Sequence, residues 1–457
     1  MTPARRSVRR ASLGVFLIFA ACGFAFATWA SRLVAIRLTL GVDPGRMGLL
    51  LLFWSAGSMA AMPVAGALVQ RLGGRRVMAA FSCLALAGLL GAGVFSVARS
   101  PLGVAGLLVV LGVGIGVWDV AMNIAAMDVE RALGRSIMPR FHAGYSLGTV
   151  VAGGVGAGLA RLGVPVVAHF GAAAAICLAA LAWGLRTLLP GGMSAAAPRA
   201  SSRPPSSGDP GEQGDRSAAA PRASSRPPTS GDPGEQGDRS DAAAPASSRP
   251  PTSGQPGGAT GPGRSPGSAW AEPRILLLGV VVLALSLTEG AAGDWLASGV
   301  VQGFGAPEST GILGLTIFLT AQTTVRLLGT GLVDRFGRVA AIRASAVVAA
   351  IGLLLYGLAP SLPLVFTGAA LWGMGAALVF PLGMSAAGDD PSRAAGRTSV
   401  VATIGYGAFL TGPPLLGLLA DQLGFRHAML VLLAPVALAI GLASVARKDP
   451  AAKQLTL

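Results

Sequence analysis

The chain has 457 residues, of which 52% are hydrophobic and only 12% charged, with 66 glycines and a formal net charge of +15. Its mean hydropathy is +0.64. A soluble globular domain carries about 25% charged residues, so the composition excludes a cytosolic globular enzyme and a disordered chain, and points to a polytopic protein whose first partner is a lipid bilayer. Nor is the basic excess a nucleic-acid footprint. Between Met193 and Glu272 eight arginines balance eight acids, which leaves 27 basic and 12 acidic residues flanking the apolar segments, where such charge sets orientation.

In chain order, apolar segments occur at 12–38, 46–69, 77–98, 101–126, 141–162 and 165–189, then at 274–302, 309–332, 339–359, 361–387, 398–420 and 425–446. Twelve spans of about 20 residues fit the length. Arg5, Arg6, Arg9 and Arg10 precede the first segment, which is too long for a signal-peptide core and lacks an A-x-A cleavage site, so it reads as an uncleaved span. One side collects the N-terminus, Arg71, Arg75, Arg76, Arg131, Arg135, Arg140, Arg335, Arg338, Arg343, Arg393, Arg397, Arg447, Lys448 and Lys453. By the positive-inside rule that side, with both termini, is cytoplasmic, and the expected location is a bacterial inner membrane. Cys22, Cys83 and Cys177 lie in apolar runs without paired spacing and read as buried packing residues, with no disulfide and no metal site.

The expected organisation is a cytoplasmic N-terminus (1–10), a six-helix bundle (11–190), a cytoplasmic linker (191–272), a second six-helix bundle (273–446) and a tail (447–457). In the linker, AAAPRASSRPPSSGDPGEQGDRS (195–217) recurs at 218–240 with Thr229 in place of Ser206. Pro, Ser, Gly and balanced charge offer too little apolar surface to offset ordering entropy, so disorder is expected.

The two bundles repeat one another. A shift of 261 lays Gly112-x-Gly114 on Gly373-x-Gly375, Tyr145 on Tyr406 and Leu162-Gly163 on Leu423-Gly424, while a shift of 264 lays ALVQRLGGR (67–75) on GLVDRFGRV (331–339). Paired halves imply a pseudo-two-fold axis along the membrane normal and a cavity between them near mid-bilayer. The glycine runs sit at helix-contact spacing and are not phosphate loops. The expectation is an all-α polytopic membrane protein, twelve transmembrane helices in two pseudo-symmetric bundles.

Of the 12 acids outside the linker, Asp119, Glu289 and Asp294 fall inside apolar spans. An ionised carboxylate there costs at least several kcal/mol unless paired, hydrated or protonated, and proton binding is the natural use of such a group. Asp119 and Asn123, four apart, share a helix face with Trp118 beside them; acid, amide and indole together suit a polyhydroxylated or ring-bearing ligand. Glu289 is a second proton or substrate ligand. Trp29 and Trp295 hold corresponding places in the halves and serve either as interface anchors or as stacking surfaces. Tyr145 and Tyr406 either line the cavity or pack helices. Arg32 pairs with Asp294 as a gate or snorkels, and Arg326 belongs to a structural gate network. His142 either anchors a loop or relays protons with Glu130 or Asp128.

Gly66-x-x-x-Gln70-Arg71-x-Gly73-Gly74-Arg75-Arg76 resembles the G-x-x-x-D-R-x-G-R-R loop motif of the major facilitator superfamily, and Asp334-Arg335-Phe336-Gly337-Arg338 repeats it. Gln70 stands where the family has Asp. The resemblance implies the major facilitator fold, a monomer, and a gating role for this loop in holding the cytoplasmic side closed. Trp118-Asp119-x-x-Met122-Asn123, Val129-Glu130-Arg131, Pro139-x-Phe141-His142-x-x-x-Ser146-x-Gly148 and Glu289-Gly290-x-x-x-Asp294-Trp295 are similar to the MosC-type branch, associated with rhizopine transport and related to fucose-permease proton/sugar symporters. That resemblance implies proton coupling at Asp119. The expected function is secondary transport of a small polar, sugar- or inositol-like solute with protons. The alternative is a drug/proton antiporter, although span five lacks the Gly-Pro of that signature while span eleven carries Gly412-Pro413-Pro414, which would kink it. No cofactor is expected, and no catalytic constellation suggests an enzyme.

Overall fold

A computed structural model describes residues 3–134, 137–189, 266–390 and 393–447. Helix α1 (Pro3–Ser31) is followed by α2 (Leu33–Leu40), α3 (Pro44–Leu72), α4 (Gly74–Val97), α5 (Pro101–Leu133), α6 (Met138–Arg161) and α7 (Val166–Thr187). The second half holds α8 (Pro273–Phe304), α9 (Glu308–Leu328), α10 (Thr330–Phe336), α11 (Arg338–Leu358), α12 (Leu362–Ala376), α13 (Val379–Ala387), α14 (Ala394–Leu423), α15 (Phe425–Ala428) and α16 (Leu433–Leu442). Among the described residues there is no strand, and twelve segments are long and apolar enough to cross a membrane. Most of the expected linker, 191–265, with residue 190 before it, Arg135 and the tail from 448 lie outside the described residues. The last residues before the second half form a 3₁₀ turn, Pro266–Ala271.

Local chemistry sets the helix ends. Asp43 caps α3 by accepting from the backbone N–H of Arg46 at 2.6 Å, with Pro44 in the first turn, and Ser100 caps α5 ahead of Pro101, both at positions that favour such residues. Four expected spans are interrupted: the eighth turns at Gly329 between α9 and α10, and the twelfth alternates α15, a 3₁₀ turn (Met429–Leu432), α16 and a second 3₁₀ turn (Ala443–Ala446). The first breaks at Arg32, whose N–H reaches back three residues to Trp29 rather than four, and the tenth breaks between α12 and α13 at Ala377 and Leu378.

The internal repeat is physical. A Cβ placed on Gly112 would lie 2.1 Å from the Trp54 carbonyl oxygen, and one on Gly373 would lie 2.3 Å from that of Phe318. Gly114 and Gly375 likewise meet the backbone nitrogens of Ala85 and Ala349 at 2.5 and 2.3 Å. Each half thus uses glycine at the same two crossings to let helix backbones touch. The turn glycines match as well: Gly73 and Gly337 have φ of 85° and 80°, and Gly163 and Gly424 have 69° and 75°, the region glycine enters without steric cost.

Candidate functional site

A cavity of about 310 Å³ lies between the halves, bounded by α1, α3, α5 and α6 on one side and by α8, α9 and α14 on the other. This is at the lower end of the range for small-molecule sites, about 300–1,000 Å³. Asp119, Glu289 and Asp294, the three acids expected inside spans, all line it, as do Trp29, Tyr145, Tyr406 and Arg326. The remaining wall is largely apolar, with Phe26, Trp54, Met59, Met62, Phe318 and Phe409. Aromatic neighbours fix these rings: Trp29 stands 5.8 Å from Trp54, and Tyr406 stands 5.7 Å from Phe380.

Arg326 belongs to the cavity rather than to a peripheral gate. Its Nη2 donates to Glu289 Oε1 at 2.8 Å, and its Nε donates to the carbonyl of Ala377 at 3.2 Å. The break between α12 and α13 supplies that acceptor, since a helix ending at Ala376 leaves its last carbonyls without intrahelical donors. The guanidinium therefore spans α8, α9 and the broken tenth span, and Glu289 is half of an ion pair rather than an isolated acid.

Three residues expected to bind substrate stand elsewhere. Trp118 is fully buried and lies off the cavity wall. Asn123 turns its amide back to donate to the backbone carbonyl of Asp119 at 2.9 Å, and it too is off the wall. Trp295 is fully buried against Phe425, centroids 5.3 Å apart. Four-residue spacing identifies residues that share a face, but not which face turns inward. Lining groups without a sequence signal of this kind include Ser55 on α3, and Gln322 on α9, which is buried with its Nε2 lacking a protein partner among the described residues.

The halves are tied together from mid-helix towards the end opposite the basic loops. Arg32 does not pair with Asp294. Its Nη1 donates to Glu308 Oε2 at 3.1 Å, its Nε to His169 Nδ1 at 3.0 Å, and its Nη2 to the Val164 carbonyl at 2.6 Å. Asp421 of α14 accepts the N–H of Gly45 at 2.9 Å, so the second half helps cap α3. Ser55 Oγ donates to the Phe409 carbonyl at 2.7 Å, a carbonyl freed because Pro413, four residues on, has no N–H. Gly48 packs against the same turn, where an added Cβ would lie 2.4 Å from the Pro413 oxygen.

At the basic end the repeated motif meets the expected gating residues unevenly. Arg338 makes a two-pronged bond to Asp389, at 2.9 and 3.0 Å, while Gln70, Arg71, Arg75, Asp334 and Arg335 are exposed. A Cβ added at Gly66 would meet nothing within 4 Å. Arg397 and Arg393 both reach Glu272. Glu130 accepts from the N–H groups of Ile137 and Met138 at 2.5 and 2.7 Å. It caps α6, while His142 is exposed and stands edge-on to Phe19. Cys22 and Cys177 are buried as expected, but Cys83 is exposed on α4. Among the described residues no metal-binding cluster of His, Cys, Asp or Glu occurs.

Residues 278–456 match the family described as Major Facilitator Superfamily. The chain is 29% identical over 433 residues to the uncharacterized transporter y4wD of Sinorhizobium fredii, covering 93% of this chain and 97% of that one. It is 29% identical over 174 residues to the membrane protein MosC of Rhizobium meliloti, covering 38% of this chain and 42% of that one. Its fold is similar to a crystal structure of a variant of the nucleoside transporter NupG, with a TM-score of 0.65, 14% identity, and coverage of 96% and 98% of the two chains.

Proposed function

The chain is a transporter of the major facilitator superfamily, and from that premise we propose that it carries a small polyhydroxylated, sugar- or inositol-like solute together with protons by alternating access. The observation that carries this reading is the convergence of Asp119, Glu289 and Asp294 on one cavity between the halves. Carboxylates accept hydrogen bonds from ligand hydroxyls, while Trp29, Tyr145 and Tyr406 offer aromatic surface against a ring. Glu289 is matched by Arg326. Asp119 and Asp294 have no ion pair of that kind among those described here, so they are the groups that gain most from a proton when the cavity closes and loses water.

The basic end is taken as cytoplasmic, with both termini inside, in keeping with a bacterial inner-membrane carrier. The contacts made by Arg32, Asp421 and Ser55 then hold the halves together on the periplasmic side. Protonation of Asp119 removes a buried charge and shifts the balance between inward- and outward-facing states by the difference in its stabilisation of each.

The test is uptake of radiolabelled inositols and hexoses into proteoliposomes under an inward proton gradient. Gradient-driven accumulation by the wild type and its loss in Asp119→Asn, with solute exchange at equal concentrations retained, is the expected result. Accumulation by Asp119→Asn equal to that of the wild type overturns the coupling role. The apolar share of the wall, Phe26, Met59, Met62, Phe318 and Phe409, favours a second reading, a drug/proton antiporter. Resistance to hydrophobic cations in expressing cells, without uptake of any polyol, would select it.

A further inference from the structure

We propose that His169 is a second proton-binding site, outside the cavity, whose protonation unlatches the two halves at the periplasmic end. Arg32 sits at the break between α1 and α2 with its side chain only 3% exposed, and it holds three partners at once. Two of them, His169 and Val164, belong to its own half; the third, Glu308, is the first residue of α9 in the other half. The latch is therefore one guanidinium whose aim is fixed on its own side by the imidazole and a carbonyl.

The chemistry of the His169 contact allows one protonation state. A guanidinium only donates, so the Nδ1 atom 3.0 Å from Arg32 Nε must present a lone pair, and the ring is neutral with its hydrogen on Nε2. That Nε2 is buried and meets no acceptor among the described residues. A proton added at Nδ1 deletes the acceptor and places a second cation against the guanidinium. Both effects favour a state in which Arg32 has withdrawn and the halves have parted.

The charged groups facing the imidazole are Arg32, from the α1–α2 junction, and Glu308, reaching it from α9 through Arg32. From α6 the neighbour is Gly156, whose added Cβ would lie 3.6 Å from His169 Cε1, and α4 lays Gly93 against the adjoining Phe170. Because the latched state requires the neutral ring, protons bind more tightly to the unlatched state. The ratio of unlatched to latched protein thus rises as pH falls, by at most about tenfold per pH unit for one proton. An acid periplasm would open the carrier towards the compartment from which protons enter. The inference goes beyond the cavity reading and its test uses no substrate.

The experiment places spin labels on the full-length protein in lipid nanodiscs, through Leu162→Cys and Leu358→Cys with the native cysteines replaced by serine. These positions are 78% and 60% exposed in the two halves. Distance distributions are recorded from about pH 8 to about pH 4, a range that runs from the neutral to the protonated ring. The wild type is expected to shift from the short to the long distance as pH falls. His169→Gln, whose amide oxygen still accepts from Arg32, is expected to lose most of that shift, whereas Asp119→Asn, which removes the cavity charge at every pH, is expected to start from an altered short-to-long ratio and still to shift as pH falls. Glu308→Gln weakens the latch without altering His169 and is expected to show the long distance already at about pH 8. A wild type that does not change, a His169→Gln protein that titrates like it, an Asp119→Asn protein that has lost the response, or a Glu308→Gln protein latched at high pH each overturns the proposal.

Discussion

Ser55 Oγ donates a 2.7 Å hydrogen bond to the carbonyl of Phe409, from one half of the molecule to the other. The acceptor is free because Pro413 cannot supply the N–H that an uninterrupted α14 would direct to it. A proline inside one helix has thus created a docking point for the hydroxyl of another, on the wall of the cavity.

That causal order can be tested. Ser55→Ala should leave the Phe409 carbonyl without its donor and lower the unfolding temperature in detergent, equivalent to about 0.5–1.5 kcal/mol for a neutral hydrogen bond. In a Pro413→Ala background the restored N–H satisfies the carbonyl within α14, so the same Ser55→Ala change should cost little. A double-mutant cycle with zero coupling between the two positions would contradict the account.

The ion pair between Arg326 and Glu289 leads to a second expectation. The two side chains are 30% and 25% exposed, neither at the surface nor sealed. Removing one partner leaves the other charge facing a mostly apolar wall, which costs more than removing both. Arg326→Gln and Glu289→Gln should each lower the midpoint of thermal unfolding, and the double variant should recover part of the loss. The expected coupling is about 1–3 kcal/mol. Arg326→Gln should also loosen the tenth span, because its Nε bond to the Ala377 carbonyl goes with it. Protease sensitivity between α12 and α13 reports that directly.

What the sequence disclosed, and what it withheld, follows from the physics of each signal. Acids in apolar runs are costly wherever the helix faces lipid, so Asp119, Glu289 and Asp294 announced a polar interior before any helix was placed, and all three line the cavity. The repeat was readable because small residues at helix crossings and glycines at positive φ cannot be exchanged freely; Gly112 with Gly373, and Gly73 with Gly337, do the same work in both halves. Facing was not readable. In a span buried on most sides, hydrophobic periodicity is weak, so Trp118 and Asn123 looked as inward-facing as Asp119. Partners distant in sequence were hidden as well. Glu308 follows Pro307 at the start of a helix, where an acid is ordinary on dipole grounds, and nothing local marked it as the mate of Arg32. The break at Arg32 has no proline or glycine to betray it; it is held by the tertiary bonds of the arginine itself.

The contrast between Trp29 and Trp118 separates recognition from packing. Both indoles are buried, 3% and 0% exposed, and the Nε1 of each lacks a partner among the described residues. Trp29 lines the cavity beside Trp54, whereas Trp118 is enclosed behind the wall. Trp29→Phe shrinks the aromatic surface on the cavity wall, so ligand affinity should fall by about 1–2 kcal/mol, roughly five- to thirtyfold, with a smaller change in unfolding temperature than Trp118→Phe gives. Trp118→Phe removes volume from a closed site and should lower the unfolding temperature while leaving affinity within about twofold. Calorimetric titration of the solute found by the uptake screen, paired with thermal unfolding of the same samples, checks both. An affinity loss in Trp118→Phe as large as that in Trp29→Phe would mean that the indole behind the wall reaches the ligand, and that the cavity extends past Asp119 in the state that binds it.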